Sequence, residues 1–88
     1  MIEKAYAYVL LCNDNTLYTG WTLDLERRLE EHNAPGSKTK YTRTRQPVKL
    51  LYYEEFDNRA KAAQREDQLK ELRREKKIEF LASKGVII

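Results

Sequence analysis

Tyr6-Ala7-Tyr8-Val9-Leu10-Leu11-Cys12-Asn13-Asp14-Asn15-Thr16-Leu17-Tyr18-Thr19-Gly20 is the stretch that decides the fold. An apolar run, a polar turn and a second short run of sheet-favouring residues make the pattern of a β-hairpin. With Asn13 to Asn15 as the loop, Cys12 faces Thr16, Leu10 faces Tyr18, and Tyr8 faces Gly20. Alternate side chains of a strand share a face, so Tyr6, Tyr8 and Tyr18 project from one side. Tyr8 and Tyr18 become diagonal neighbours, roughly 7–8 Å apart at the backbone, close enough for both hydroxyls to reach one bound atom. Tyrosine is also simply a good strand residue, so the pair takes its meaning from what surrounds it. A one-residue slip would send Tyr18 to the other face.

Immediately downstream, the stretch from Trp21 to Asn33 contains a helix. Thr22 or Asp24 can cap it, acids fill its first turn, and Asn33 to Gly36 stop it. At about 100° per residue, Leu25 and Leu29 define the inward face. Arg28 and His32 lie four apart along the edge of that face, whereas Arg27 points nearly the opposite way. His32 then either interacts with the helix's last carbonyls or joins a site with the tyrosines.

Residues 34 to 47, rich in Gly, Ser and Thr and ending at Pro47, read as a loop. Lys38, Lys40, Arg43, Arg45 and Lys49 fall between positions 38 and 49 with no acid among them. Such a basic segment is either a solvated face or the footprint of a phosphate-binding surface. Tyr41 within it could stack on a base or ribose, or anchor the loop to the core.

Val48 to Phe56 is a third strand. Asp57-Asn58 caps a second helix from about Arg59 to Leu72, with Ala62, Ala63, Leu69 and Leu72 inward. Glu66 falls inside that stripe. An acid on a packing face is costly unless paired, so Glu66 either bridges to Arg28 or a lysine, or binds a hard cation such as Mg²⁺. A last helical segment, Arg74 to Leu81, precedes the apolar tail Val86-Ile87-Ile88.

The totals set the frame. The 88 residues make one expected domain, 1–88, with a formal charge of +3. No apolar stretch is long enough for a signal peptide or membrane span, and the single cysteine excludes an internal disulfide and a Cys-rich zinc site. The expected compartment is the cytoplasm, with Cys12 a small buried hydrophobe.

Tyr6-Ala7-Tyr8, Tyr18-Thr19-Gly20, and Asp24-Leu25-Glu26-Arg27-Arg28-Leu29 with His32, in that order, resemble the GIY-YIG nuclease superfamily. The spacing of Ala62/Ala63, Glu66 and Lys70 is similar to the helix that carries that family's metal-binding glutamate. The loop from Lys40 to Val48 resembles the small, single-domain bacterial members, and the likeness runs from about Tyr6 to Leu81. It implies an α/β (α+β) fold, a small three-stranded, mostly antiparallel sheet flanked by two to three helices. The activity it implies is divalent-metal-dependent cleavage of a DNA phosphodiester. By matching positions, Tyr8 or Tyr18 would act as general base, as a phenolate or through a water, with Arg28 and the metal favouring the anion. Arg28 would stabilise charge on the scissile phosphate, and His32 would bind that phosphate or assist proton transfer. Glu66 would hold one Mg²⁺ or Mn²⁺, and Gly20 would let the backbone approach the site. The first motif is Tyr-Ala-Tyr and lacks the starting glycine, but Tyr8 is kept.

The expected protein is thus a small endonuclease acting on DNA, with branched or damaged DNA, in repair or recombination, as the candidate substrate. The alternative is a nucleic-acid-binding module that keeps the fold without cleavage and binds through Arg43 and Arg45. A third class, an adaptor for a protein partner, would use the apolar tail from Val86 to Ile88 or the last helix.

Overall fold

A computed structural model describes residues 3–36 and 39–88. The elements are β1 (Ala5–Leu11), β2 (Leu17–Thr22), α1 (Leu25–Asn33), β3 (Lys49–Phe56), α2 (Arg59–Lys70) and α3 (Arg74–Ser83). The three strands form one antiparallel sheet in the order β2-β1-β3.

The hairpin has the register its loop length dictates, with Leu10 opposite Tyr18 and Tyr8 opposite Gly20. Cys12 N–H donates to the Thr16 carbonyl at 2.9 Å, and Asn15 N–H to the Cys12 carbonyl at 3.0 Å. Asn15 takes a left-handed φ of 65°, which asparagine tolerates better than most residues. Asp14 braces the turn by accepting from the Thr16 hydroxyl at 2.6 Å.

As the central strand, β1 faces two cores. Tyr8, Leu10 and Cys12 point to one side, where Val48, Tyr18, Leu25, Leu29 and Leu50 pack around them. Val9 points to the other, against Leu69 and Leu81. Burial on both faces explains why β1 is an unbroken apolar run and not an alternating one. α1 therefore covers one face of the sheet, and α2 with α3 the other.

Local chemistry sets the helix ends. Asp24 caps α1 by accepting the Arg27 N–H at 3.2 Å, and Asn58 caps α2 by accepting the Lys61 N–H at 2.8 Å. Arg65 clamps α2 to β3, donating to the two Glu54 carboxylate oxygens at 2.8 and 3.1 Å. α2 stops at Lys70, short of Leu72, because the Leu72 N–H turns back to the Leu69 carbonyl at 3.2 Å. Leu72 still packs against the second core. α3 runs two residues past Leu81 to Ser83, and just beyond it the left-handed φ of 82° at Gly85 lets the Val86 N–H reach the Leu81 carbonyl at 2.9 Å. Val86 folds back onto the second core while Ile87 stays exposed. Among the described residues no helix is long and apolar enough to cross a membrane.

Candidate active site

The hairpin register and α1 bring Tyr8, Tyr18 and His32 together. The Tyr18 ring lies edge-on to His32 at 5.1 Å between centroids, and the Tyr8 ring edge-on to it at 6.0 Å. His32 is fully buried. Its Nε2 is 3.0 Å from the Tyr8 hydroxyl and its Nδ1 is 2.7 Å from the Thr42 hydroxyl. It is thus not the partly buried helix-end residue that its position in α1 allows. The last carbonyls of α1 are taken up by Gln46, whose Nε2 donates to the His32 and Ala34 carbonyls at 2.8 and 2.9 Å. Asn33 fixes where β3 begins, accepting the Val48 N–H at 2.8 Å and donating to the Val48 carbonyl at 3.1 Å.

One turn before His32, the half-buried Arg28 lies 3.8 Å from Glu31, and its positive charge acts on the Tyr8 hydroxyl. A cleft of about 400 Å³, lined by Trp21, Thr22, Arg27, Arg28 and Glu31, opens beside it. Gly20 makes the cluster possible. A Cβ there would stand 2.5 Å from the Tyr8 hydroxyl oxygen and 2.7 Å from Cζ.

Burial governs the protonation states. It pushes Tyr8 up to about 12; Arg28 opposes the shift, while the charges of Tyr18 and Glu66 add to it. Arg28 does favour the phenolate as expected, but burial outweighs it, so Tyr8 is a phenol at neutral pH. His32 is pulled down to about 4, by burial first and then by the charge of Arg28. It is a neutral imidazole with one bare nitrogen. In the unfolded chain the same imidazole titrates near 6.5, so between that pH and 4 the unfolded state binds more protons. Folding stability present above pH ~6.5 is therefore expected to fall as pH drops, by about 2 kcal/mol at pH ~5, from this residue alone. Denaturant titrations over that range check it, with His32→Gln expected to flatten the slope.

Glu66 approaches from α2. Its side chain is 16% exposed and pairs with Lys70 at 3.3 Å, and its charge reaches the Tyr8 hydroxyl. Of the two pairings its inward position allows, the lysine is the one formed. Among the described residues no group of three His, Cys, Asp or Glu side chains could hold a metal ion. A cation here would take Glu66 as its protein carboxylate, with water and phosphate oxygens completing the shell, a set that suits a hard divalent ion.

The basic loop divides in two. Lys40 and Arg43 are exposed. Arg45 pairs with Asp14 at 3.0 Å, donates to the Tyr41 carbonyl at 2.7 Å and covers the Tyr41 ring at 4.1 Å. Tyr41 in turn leans on Tyr18 at 5.4 Å. Tyr41 and Arg45 thus anchor the loop to the hairpin. Lys38 lies outside the described residues. Tyr6 lies edge-on to Tyr53 at 6.0 Å.

Two polar groups join this framework without having stood out in the sequence. Thr42 is fully buried against His32 and lies 2.7 Å from the Thr39 hydroxyl. Lys77, also buried, donates to the Thr19 hydroxyl at 3.1 Å, its pKa lowered by burial and then by Lys70. Lys77 precedes Leu81 by one helical turn, which is the spacing that could have revealed it. Thr42 sits in an aperiodic loop and gives no such signal.

The family model of the GIY-YIG catalytic domain matches residues 4–79. A UPF0213 protein of Clostridium perfringens is 48% identical over 81 residues, covering 92% of this chain and 86% of its own length. One from Haloquadratum walsbyi is 51% identical over 88 residues, 100% of this chain and 97% of its own. The solution NMR structure of a UPF0213 protein from Bacillus halodurans is similar at a TM-score of 0.61 and 39% identity, over 93% of this chain and 86% of that one. An NMR structure of an E. faecalis protein matches at a TM-score of 0.61 and 38% identity, over 97% and 92%. With a family match over most of its length and relatives this close along nearly all of it, the chain belongs to the GIY-YIG family.

Proposed function

We propose that the protein is a divalent-metal-dependent endonuclease that hydrolyses DNA phosphodiester bonds at the Tyr8 hydroxyl. One observation carries this reading: that hydroxyl lies 3.0 Å from Nε2 of a buried neutral histidine, with an arginine and a carboxylate within electrostatic reach. A phenol this hard to ionise is a poor base by itself. With His32 3.0 Å away it becomes a proton conduit, taking a proton from the attacking water as its own passes to Nε2. Arg28 offers a planar fork of donors to the phosphate oxygens as charge grows on them. Glu66 would hold the Mg²⁺ or Mn²⁺, which when bound supplies Lewis-acid polarisation of the phosphoryl group. Lys40 and Arg43 supply exposed charge for flanking phosphates, and Lys38 is assigned with them. Tyr41 and Arg45 support that surface by fixing the loop. Branched or damaged DNA, met in repair or recombination, is the proposed substrate, since so small a basic surface suits recognition of shape over sequence.

The test is incubation of the protein with supercoiled plasmid and with a branched DNA, under Mg²⁺, Mn²⁺ or chelator. Cleavage with either metal and none with chelator is the expected result. Binding without cleavage in every condition would replace the proposal with a binding module that keeps the fold.

A further inference from the structure

The imidazole of His32 has one proton to place, and the two nitrogens are not equivalent. Nε2 faces the Tyr8 hydroxyl at 3.0 Å and Nδ1 faces the Thr42 hydroxyl at 2.7 Å. Which of them carries the proton decides whether His32 can receive anything from Tyr8. Two observations point the same way. Among the described residues, the acceptor within hydrogen-bond distance of the buried Tyr8 hydroxyl is Nε2, at 3.0 Å, so the Tyr8 proton is placed toward Nε2, which must then be bare. On the far side, the Thr42 hydroxyl proton has acceptors on Thr39, the hydroxyl oxygen at 2.7 Å and the carbonyl at 3.4 Å. Its oxygen is therefore open to accept from Nδ1–H. Both contacts of His32 are buried, where a wrongly placed proton would leave two groups facing each other without a hydrogen between them.

We infer that Thr42 is a positioning residue that accepts the Nδ1 proton of His32 and so keeps Nε2 bare toward Tyr8. The chain runs Tyr8 O–H to Nε2, Nδ1–H to Thr42, Thr42 O–H to Thr39. It links the reacting hydroxyl on β1 to the basic loop and gives the buried threonine of that loop a purpose that packing alone does not explain. Its catalytic meaning rests on the nuclease reading; the proton assignment does not.

His32 is the single histidine of the chain, so its ring nitrogens give an unambiguous ¹⁵N NMR signal at pH 7. The wild-type protein is expected to show a protonated Nδ1 and a bare Nε2. Thr42→Val, which keeps the shape and removes the oxygen, is expected to move the proton to Nε2 or to mix the tautomers. Thr42→Ser is expected to restore the wild-type signal. Should the valine variant not fold, Thr42→Ala removes the same oxygen with less bulk. A wild-type Nε2–H, or an unchanged tautomer in a folded Thr42→Val or Thr42→Ala protein, would overturn the inference. On plasmid, Thr42→Val is expected to lose about 10²-fold in kcat with KM unchanged, and the serine variant to recover it. If the wild-type protein cleaves nothing, the nuclease reading falls while the NMR result still decides the role of Thr42.

Discussion

Glu66→Ala is expected to cut DNA cleavage by about 10³-fold while leaving the protein folded. Losing a carboxylate that holds a metal removes several kcal/mol of transition-state stabilisation, and each ~1.4 kcal/mol is a factor of ten. The fold should hardly notice. The partner Lys70 is 52% exposed, so the pair is of the partly solvated kind that contributes at most about 1 kcal/mol. The melting temperature, Mn²⁺ binding and plasmid nicking should be measured side by side. A folded variant that binds Mn²⁺ as before and cleaves within about tenfold of wild type would remove Glu66 from the proposed chemistry.

Gly20→Ala is expected to damage stability and cleavage together. The new methyl would meet the Tyr8 hydroxyl oxygen at 2.5 Å, Tyr8 Cζ at 2.7 Å and Tyr18 Cε2 at 3.2 Å. A flexible side chain could swing away, but the Tyr8 ring is stiff, buried, and pinned at its tip by His32. Either the ring shifts or the two strands part. Overpacking of this kind costs roughly 1–3 kcal/mol, which for a chain of this size lowers the melting temperature by about 10 °C. Displacing the hydroxyl by about 1 Å should also cost about 10²-fold in cleavage. Thermal melts and the plasmid assay check both effects. A variant with unchanged melting and cleavage would mean that Tyr8 moves freely and is not the fixed centre of the site.

How well the sequence foretold this molecule depended on what each residue's neighbours were. A three-residue polar loop leaves one sensible register, so the shared face of Tyr8 and Tyr18 could be read without any structure. Glu66 could be placed inward because the helix repeat is regular and its flanking residues, Ala63 and Leu69, are apolar. The burial of Lys77 was obscured by its charge, since lysine ordinarily marks the solvent side and its long apolar stem is easily forgotten. The contact between His32 and Thr42 crosses from a helix end into a loop without period, where no spacing rule applies. The protonation of Tyr8 without a bound metal rests on opposing influences. The attraction of Arg28 was visible in the sequence, but the depth of burial that outweighs it was not.

The central strand ties the proposed activity to correct assembly. Tyr8 and Val9 are adjacent, one turned toward His32 and the other toward Leu69 and Leu81. A chain that pairs β1 one residue out of step would bury the phenol where a valine belongs and carry the valine to the site. The same error that spoils the core would disarm the proposed nuclease, so a misassembled copy would lack the assembled site. Correct assembly acts as the safety catch.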